Sequence, residues 1–321
     1  MNKAPSRDKA LNQYLDPYPN FGRLRNVGRV VRIRTAFNGQ GWLITQHEDA
    51  QALAGDPRLS VEARNACPEL GPLLSRPGFR FFDYLTDSMI VMDPPEHTRL
   101  RRLVSKEFTP RRVAVLAPYI RAFVQEKTAA LSRDAPVDLV EELTALLPAA
   151  VICRWMGLQD EDSATIRSIV STNSLLPVDA EVTSQHEQAR QDMLDCLGRI
   201  IERKRQHPED DLVSVLIGAC DQGDSLSDGE LISMLATLIG GGTDAPAQML
   251  GSAVLLLLRH PDQMARLIDD PTLIPSAVEE LLRFESPVTL GLIRFALEDI
   301  TVGDVTIPKG DLVFVGVSSA N

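Results

Sequence analysis

The sequence predicts a mainly α fold: a helical body with a small β-sheet assembled from both ends of the chain. Three observations carry this. From about residue 93 to 285, apolar residues recur at i, i+3, i+4 and i+7, as in VAVLAPYIRAFVQEKTAAL and MLDCLGRIIERKRQ, the pattern of amphipathic helices. Residues 27–60 and 295–317 instead alternate and turn, as short strands do. No internal repeat or low-complexity linker divides the 321 residues, so a single domain over 1–321 is expected.

Bulk composition narrows the function classes. Hydrophobic residues make up 44% and charged residues 24%, the balance of an ordinary globular protein. The formal net charge of −11 argues against broad nucleic-acid binding and against docking on anionic lipid. The N-terminus has no apolar core of a signal peptide, and the longest apolar run, Ala253 to Leu258, is too short to span a bilayer. A cytoplasmic protein is expected. Cys67, Cys153, Cys196 and Cys220 form no CxxC pair and lie near no histidine at ligand spacing, so reduced thiols and no bound metal are expected.

The elements follow in order. VGRVVRIRTAF and GWLIT flank Asn38-Gly39, a hairpin signal. A polar, proline-rich stretch from about Arg58 to Asp87 reads as irregular. The first helix of the body opens with Asp93 as its cap, Pro94 at its first position and Glu96 completing a capping box. His97 and Arg101 then share a face and, with Arg102 and Lys106, make a basic patch. Such a patch is either a solvated face or a seat for an anionic group. The central helix opens with a second box, Ser227 and Glu230, and is apolar all round through Leu231, Ile232, Met234, Leu235, Leu238 and Ile239, as a buried helix is. GGGTDAP, residues 240–246, interrupts it. Pro246 has no N–H for the Gly242 carbonyl, so a kink or opening beside a pocket is expected, with a close helix crossing as the alternative. Further on, Glu280 and Arg283 are three apart and can pair.

Taken in order, DPPEHTRLRRLVSKEFTPRRV, LIGGGTDAPAQ, EELLR and GLIRF resemble the soluble bacterial type of the cytochrome P450 family, along essentially the whole chain. The resemblance implies a cytochrome P450-like helical fold. It implies that His97, Arg101 and Arg294 hold haem propionates and that Glu280 and Arg283 are the structural ExxR pair. It also implies a cavity for a large apolar molecule, lined by Phe82, Leu85, Leu238, Gly241, Gly242, Ala245, Val288, Leu290, Leu292 and Ile293.

Two departures shape the functional expectation. The family continues past the VGVSSAN-like segment into a loop holding the haem-thiolate cysteine, so the sequence reads as a truncated member with its C-terminal haem-binding part missing. The family's oxygen-activating acid and alcohol align with Asp244 and Ala245, and alanine cannot pass a proton. The reading that follows is a haem-free, non-redox cyclase acting on a polyketide by pericyclic or conjugate-addition ring closure. It uses no cofactor and has Asp244 as the candidate catalytic acid in an apolar cavity. Two alternatives remain open: a haem-dependent P450 monooxygenase, and a non-catalytic helper that activates a glycosyltransferase through the face left open by the missing part.

Overall fold

The computed structural model describes residues 18–34, 40–70, 87–132, 134–173, 180–221, 226–291 and 293–320. In chain order these form α1 (Tyr18–Val27), β1 (Val30–Arg34), β2 (Gln40–Ile44), α2 (His47–Ala54), β3 (Leu59–Ser60), α3 (Glu96–Ser105), α4 (Pro110–Ala114) and α5 (Ala117–Ala130). A π-helical turn (Val140–Thr144) leads into α6 (Leu146–Trp155), followed by α7 (Asp160–Asn173), α8 (Ala180–Gln206), α9 (Leu212–Asp221) and the long α10 (Asp228–Arg259). The chain closes with α11 (Pro261–Asp269), α12 (Ile274–Phe284), β4 (Arg294–Ala296), β5 (Ile300–Val302), β6 (Val305–Ile307), β7 (Leu312–Val315) and α13 (Val317–Ala320). The mainly helical class with a small sheet is as the patterns require.

The chain forms two compact units, Met1–Leu74 with Val278–Asn321, and Ser75–Ala277. In the first, strands from both ends of the chain share a five-stranded sheet of order β1-β2-β7-β4-β3. β2 runs parallel to β7, with Trp42 opposite Val313, while β1–β2, β4–β7 and β3–β4 are antiparallel. Val30 and Ile44, paired across β1 and β2, face one core, where Ile44 is fully buried with Ala296, Ile300, Ile307 and Val313, while its neighbour Leu43 is buried on the opposite face of the sheet. Trp42 Nε1 donates to Asp311 Oδ2 at 2.8 Å, and Ser319 Oγ donates to the Thr45 carbonyl at 3.1 Å, tying early and late segments of this unit together. Not all of residues 27–60 is strand: His47–Ala54 is helical, with Ala50 and Leu53 buried three apart on one face. The irregular stretch holds two short 3₁₀ turns, Ala63–Asn65 and Pro68–Leu70.

The second unit is built on helices. Leu100 and Val104 of α3, Ile152, Cys153 and Met156 at α6, Leu197 and Ile200 of α8, Leu212 and Leu216 of α9, and Leu231, Met234 and Leu235 of α10 make one continuous core. Two expectations fail here. First, α3 begins at Glu96 with Pro95 at its cap position and no side-chain cap there, three residues past the expected Asp93 cap, although the His97 N–H still donates to the Asp93 carbonyl at 3.1 Å. Second, α10 does not break at GGGTDAP; it is a single helical element of 32 residues that contains Pro246. One lost N–H costs the helix roughly 3 kcal/mol, which a well-buried N-terminal half can offset. Nor is α10 buried on all sides throughout, since Leu255 and Leu258 are 48% and 61% exposed. Among the described residues no helix is long and apolar enough to cross a membrane.

Candidate functional site

In the second unit, burial of Leu100 and Val104 orients α3. His97 and Arg101, one turn apart, flank that buried stripe; His97 is half-buried and Arg101 exposed. Neither forms an ion pair with any described residue. Arg99 points elsewhere and was not flagged by the sequence. Its guanidinium donates to Glu96 Oε2 at 3.2 Å and to Glu230 Oε1 of α10. Glu230 is also the reciprocal half of the Ser227 capping box, accepting from the Ser227 N–H at 2.7 Å while Ser227 Oγ accepts from the Glu230 N–H at 3.1 Å. Burial by itself would raise the Glu230 carboxyl pKa. The Ser227 N–H and the Arg99 guanidinium outweigh it and hold the value below the usual carboxylate range. Ser88, fully buried, shares a 2.6 Å hydrogen bond with Thr237 on the next turns of α10. Arg99 and Arg102 also line an outward cavity of about 520 Å³ with Pro94, Pro95 and Thr98.

The glycine triplet divides by environment. A Cβ on Gly242 would stand 3.2 Å from Ile152 Cδ1 and 3.3 Å from Ile152 Cγ1 of α6, so Gly242 is a close helix crossing rather than a cavity wall. A Cβ on Gly240 or Gly241 would meet nothing within 4 Å, and both glycines are exposed. Asp244 is exposed beside them and Ala245 is half-buried. The enclosed apolar environment expected for Asp244 is therefore not what this face provides. Leu238 is half-buried and packs on the helical core. Thr243 is buried, and its Oγ1 donates to the Ile239 carbonyl at 2.7 Å, which keeps that hydroxyl on the backbone.

The first unit carries the remaining candidates. Arg294 opens β4 opposite Val313, half-buried and with no ion pair among the described residues. Glu280 and Arg283 pair through two 2.7 Å hydrogen bonds on an exposed face of α12, and that pairing lowers the carboxyl pKa and raises the guanidinium pKa. Val288 and Leu290 are 45% and 37% exposed, and Ile293 is half-buried. Phe82, Leu85 and Leu292 lie outside the described residues.

A haem group offers two carboxylates, a flat ring and an iron that needs an axial ligand. His97 and Arg101 suit the carboxylates, being two bases one turn apart without competing acids. The open Gly240–Gly241 face of α10 has room for a flat group. The described thiols do not suit the iron. Cys153 and Cys196 are 2% and 0% exposed inside the helical core, and burial raises both pKa values. Cys67 is packed against Gly310 in the first unit, and burial raises its pKa too. Thus the residues present fit the anionic edge and one face of haem, while its thiolate is none of these three cysteines. Among the described residues no group of three His, Cys, Asp or Glu is placed to hold a metal ion.

Comparison with known proteins decides between the readings. The family model described as cytochrome P450 matches residues 74–321. The vitamin D(3) 25-hydroxylase of Pseudonocardia autotrophica is 39% identical over 95% of this chain and 73% of its own length. The cytochrome P450 monooxygenase PikC of Streptomyces venezuelae is 36% identical over 95% of this chain and 71% of its own. Among solved structures, the Bacillus subtilis 168 bacillaene polyketide synthase cytochrome P450 PksS superposes with a TM-score of 0.86 at 31% identity, covering 96% of this chain and 76% of that one. The chain is thus shorter than these relatives, and the match leaves the expected truncation unconfirmed. It overturns the haem-free, cofactor-free cyclase: relatives this similar are named as hydroxylases and monooxygenases, enzymes of a haem family, and the haem-dependent alternative is the one that fits. Neither departure outweighs this: Ala245 removes one hydroxyl, and a sequence that stops before the family's cysteine loop carries no evidence against haem. On the family match and these identities, the chain belongs to the cytochrome P450 family.

Proposed function

We propose that this chain belongs to a haem-dependent monooxygenase that hydroxylates a large apolar natural product. The observation that carries the reading is the face of α10 formed by Gly240, Gly241 and Asp244, open and flanked by a half-buried alanine, on a chain 39% identical to a named hydroxylase. When bound, haem supplies the activation of dioxygen, so that a C–H bond becomes C–OH while two electrons and two protons reduce the second oxygen atom to water.

The chain's own residues bind and orient. His97 donates an N–H and Arg101 a guanidinium fork to the propionate carboxylates. Gly240 and Gly241 leave room that any side chain would fill. Asp244 holds a carboxylate at the open face, where it relays protons from solvent through its Oδ atoms. Ala245 contributes no hydroxyl and Thr243 keeps its own on Ile239, so α10 supplies no alcohol at this position. The acid must then work through water or through a hydroxyl of the substrate. Leu238 and Ala245 of α10 are proposed substrate contacts. The relatives' names, vitamin D(3) in one and a polyketide synthase in another, support an apolar substrate, and a protein electron donor is the expected partner.

The test is optical and then chemical. Protein purified from haem-replete cells is expected to show a Soret band, to shift that band on adding macrolide or sterol-like ligands, and to hydroxylate one of them with a surrogate electron-transfer pair. Arg101→Ala should lower haem retention while leaving the helical circular dichroism unchanged. Protein without Soret absorbance from such cells would sink the proposal.

A further inference from the structure

Thr144, the last residue of the π-helical turn before α6, is 2% exposed, and its Oγ1 has no hydrogen-bond partner among the described residues. Among the described residues it is the one buried side-chain polar atom in this state. Other helical threonines here behave differently. Thr128 bonds the Val124 carbonyl at 2.7 Å, Thr165 the Glu161 carbonyl at 3.1 Å, Thr237 the Ser233 carbonyl at 2.7 Å and Thr243 the Ile239 carbonyl at 2.7 Å, each four residues back. For Thr144 the corresponding carbonyl is that of Val140. The wider π turn gives it to the Ala145 N–H, at 3.0 Å. The cause sits four residues on: Pro148 has no N–H for the Thr144 carbonyl, and its ring would crowd that carbonyl in a regular α-helix. Pro148 thus removes the α-helical donor to the main-chain carbonyl of the same residue whose hydroxyl is unpaired.

The neighbour opposite is Gly251 of α10. Among the described residues, a Cβ built there would meet one atom within 4 Å beyond the helix's own backbone, Thr144 Oγ1 at 3.7 Å. The missing methyl therefore leaves space beside the unpaired hydroxyl. Buried polar groups without protein partners are, as a rule, bonded to internal water, and a polar space of this kind is where such water resides.

We propose that Thr144 and Gly251 frame a binding site for one internal water molecule, which accepts from the Thr144 hydroxyl and donates to the carbonyl whose α-helical donor Pro148 removes. The site joins the π turn to the central helix at a point independent of the haem reading. A high-resolution crystal structure of the purified protein is expected to place a water oxygen about 2.8 Å from Thr144 Oγ1. Thr144→Val should abolish that peak and lower the Tm by about 2–4 °C, through loss of the bridging bonds. Two results would overturn the proposal. One is a Thr144 hydroxyl rotated onto a protein carbonyl with no water beside it. The other is a higher Tm for Thr144→Val, since valine raises stability only where the hydroxyl was bare.

Discussion

From Asp228 to Ile239, the long helix α10 buries Leu231, Ser233, Met234, Leu235, Ala236 and Ile239; from Gly240 to Arg259 it buries only Thr243. Both halves are rich in aliphatic residues, and a helix apolar on every side is ordinarily buried on every side. The second half departs from that rule, with Leu255 and Leu258 largely exposed. The first half is held from outside by Arg99 on Glu230 and by Ser88 on Thr237. The second begins at glycines with open space beside them. The boundary between core and candidate site thus falls within the glycine triplet itself, where Gly242 packs and its two predecessors do not. Apolar composition states what a helix face tolerates; the neighbouring helices decide what it does.

The largest expected effect breaks the comparison outright. Leu235 is fully buried, so Leu235→Ala should destabilise by about 2–5 kcal/mol, whereas Leu255→Ala should stay within about 0.5 kcal/mol. Urea midpoints for the two variants read the difference directly, and equal losses would show that both halves are core. Next in size is Gly242→Val. Its side chain would collide with Ile152 of α6, at a cost of about 1–3 kcal/mol from overpacking. Trimming the neighbour with Ile152→Ala should recover part of that loss in a double-mutant cycle. Additive losses would mean that the two residues do not meet.

Much of this architecture was legible in residue patterns, and the failures have local physical causes. The Ser227–Glu230 box was readable because both partners lie within one turn, and the hairpin of β1 and β2 was readable from Asn38-Gly39 between alternating runs. The same capping logic placed the start of α3 at Asp93, whereas that helix begins at Glu96 with Pro95 at its cap position. The fate of each glycine was not legible: Ile152, which fixes Gly242, comes from a helix ninety residues earlier. Arg99 went unnoticed for the same reason, since its acid Glu230 is 131 positions away. Asp244 was readable as an acid in the right motif, but its exposure depends on what surrounds α10. Ala245 and the absent cysteine loop together suggested a haem-free protein, and the relatives overturn that reading.

Charge sharpens the comparison at the N-terminal end of α10. Glu230→Gln keeps both capping hydrogen bonds, because glutamine serves in the same box, but removes the charge facing Arg99. The expected loss is about 0.2–1 kcal/mol at neutral pH, discounted because Arg99 is one-third exposed. The pH dependence follows from the direction of the shift. The folded state holds the Glu230 pKa below its unfolded value of about 4.3, so its contribution is fully present above that value and is lost as pH falls through the folded pKa. The gap in urea midpoint between wild type and Glu230→Gln should therefore close on acidification. A gap that persists at low pH would assign the effect to packing instead.

A change of similar size but opposite sign belongs to Gly241→Ala, and that sign separates the two kinds of glycine. Nothing lies within 4 Å of the added methyl, and alanine loses less backbone entropy than glycine in a helix. The variant should be more stable by about 0.5–1 kcal/mol, opposite in sign to Gly242→Val. If Gly241 were kept only for helix packing, alanine would serve the molecule better. A glycine at that position points to an occupant that needs the space, and the proposed occupant is the substrate. The variant should therefore pair a higher Tm with weaker substrate-induced Soret shifts. Unchanged substrate binding in a stabilised Gly241→Ala protein would move the candidate site away from this face of α10.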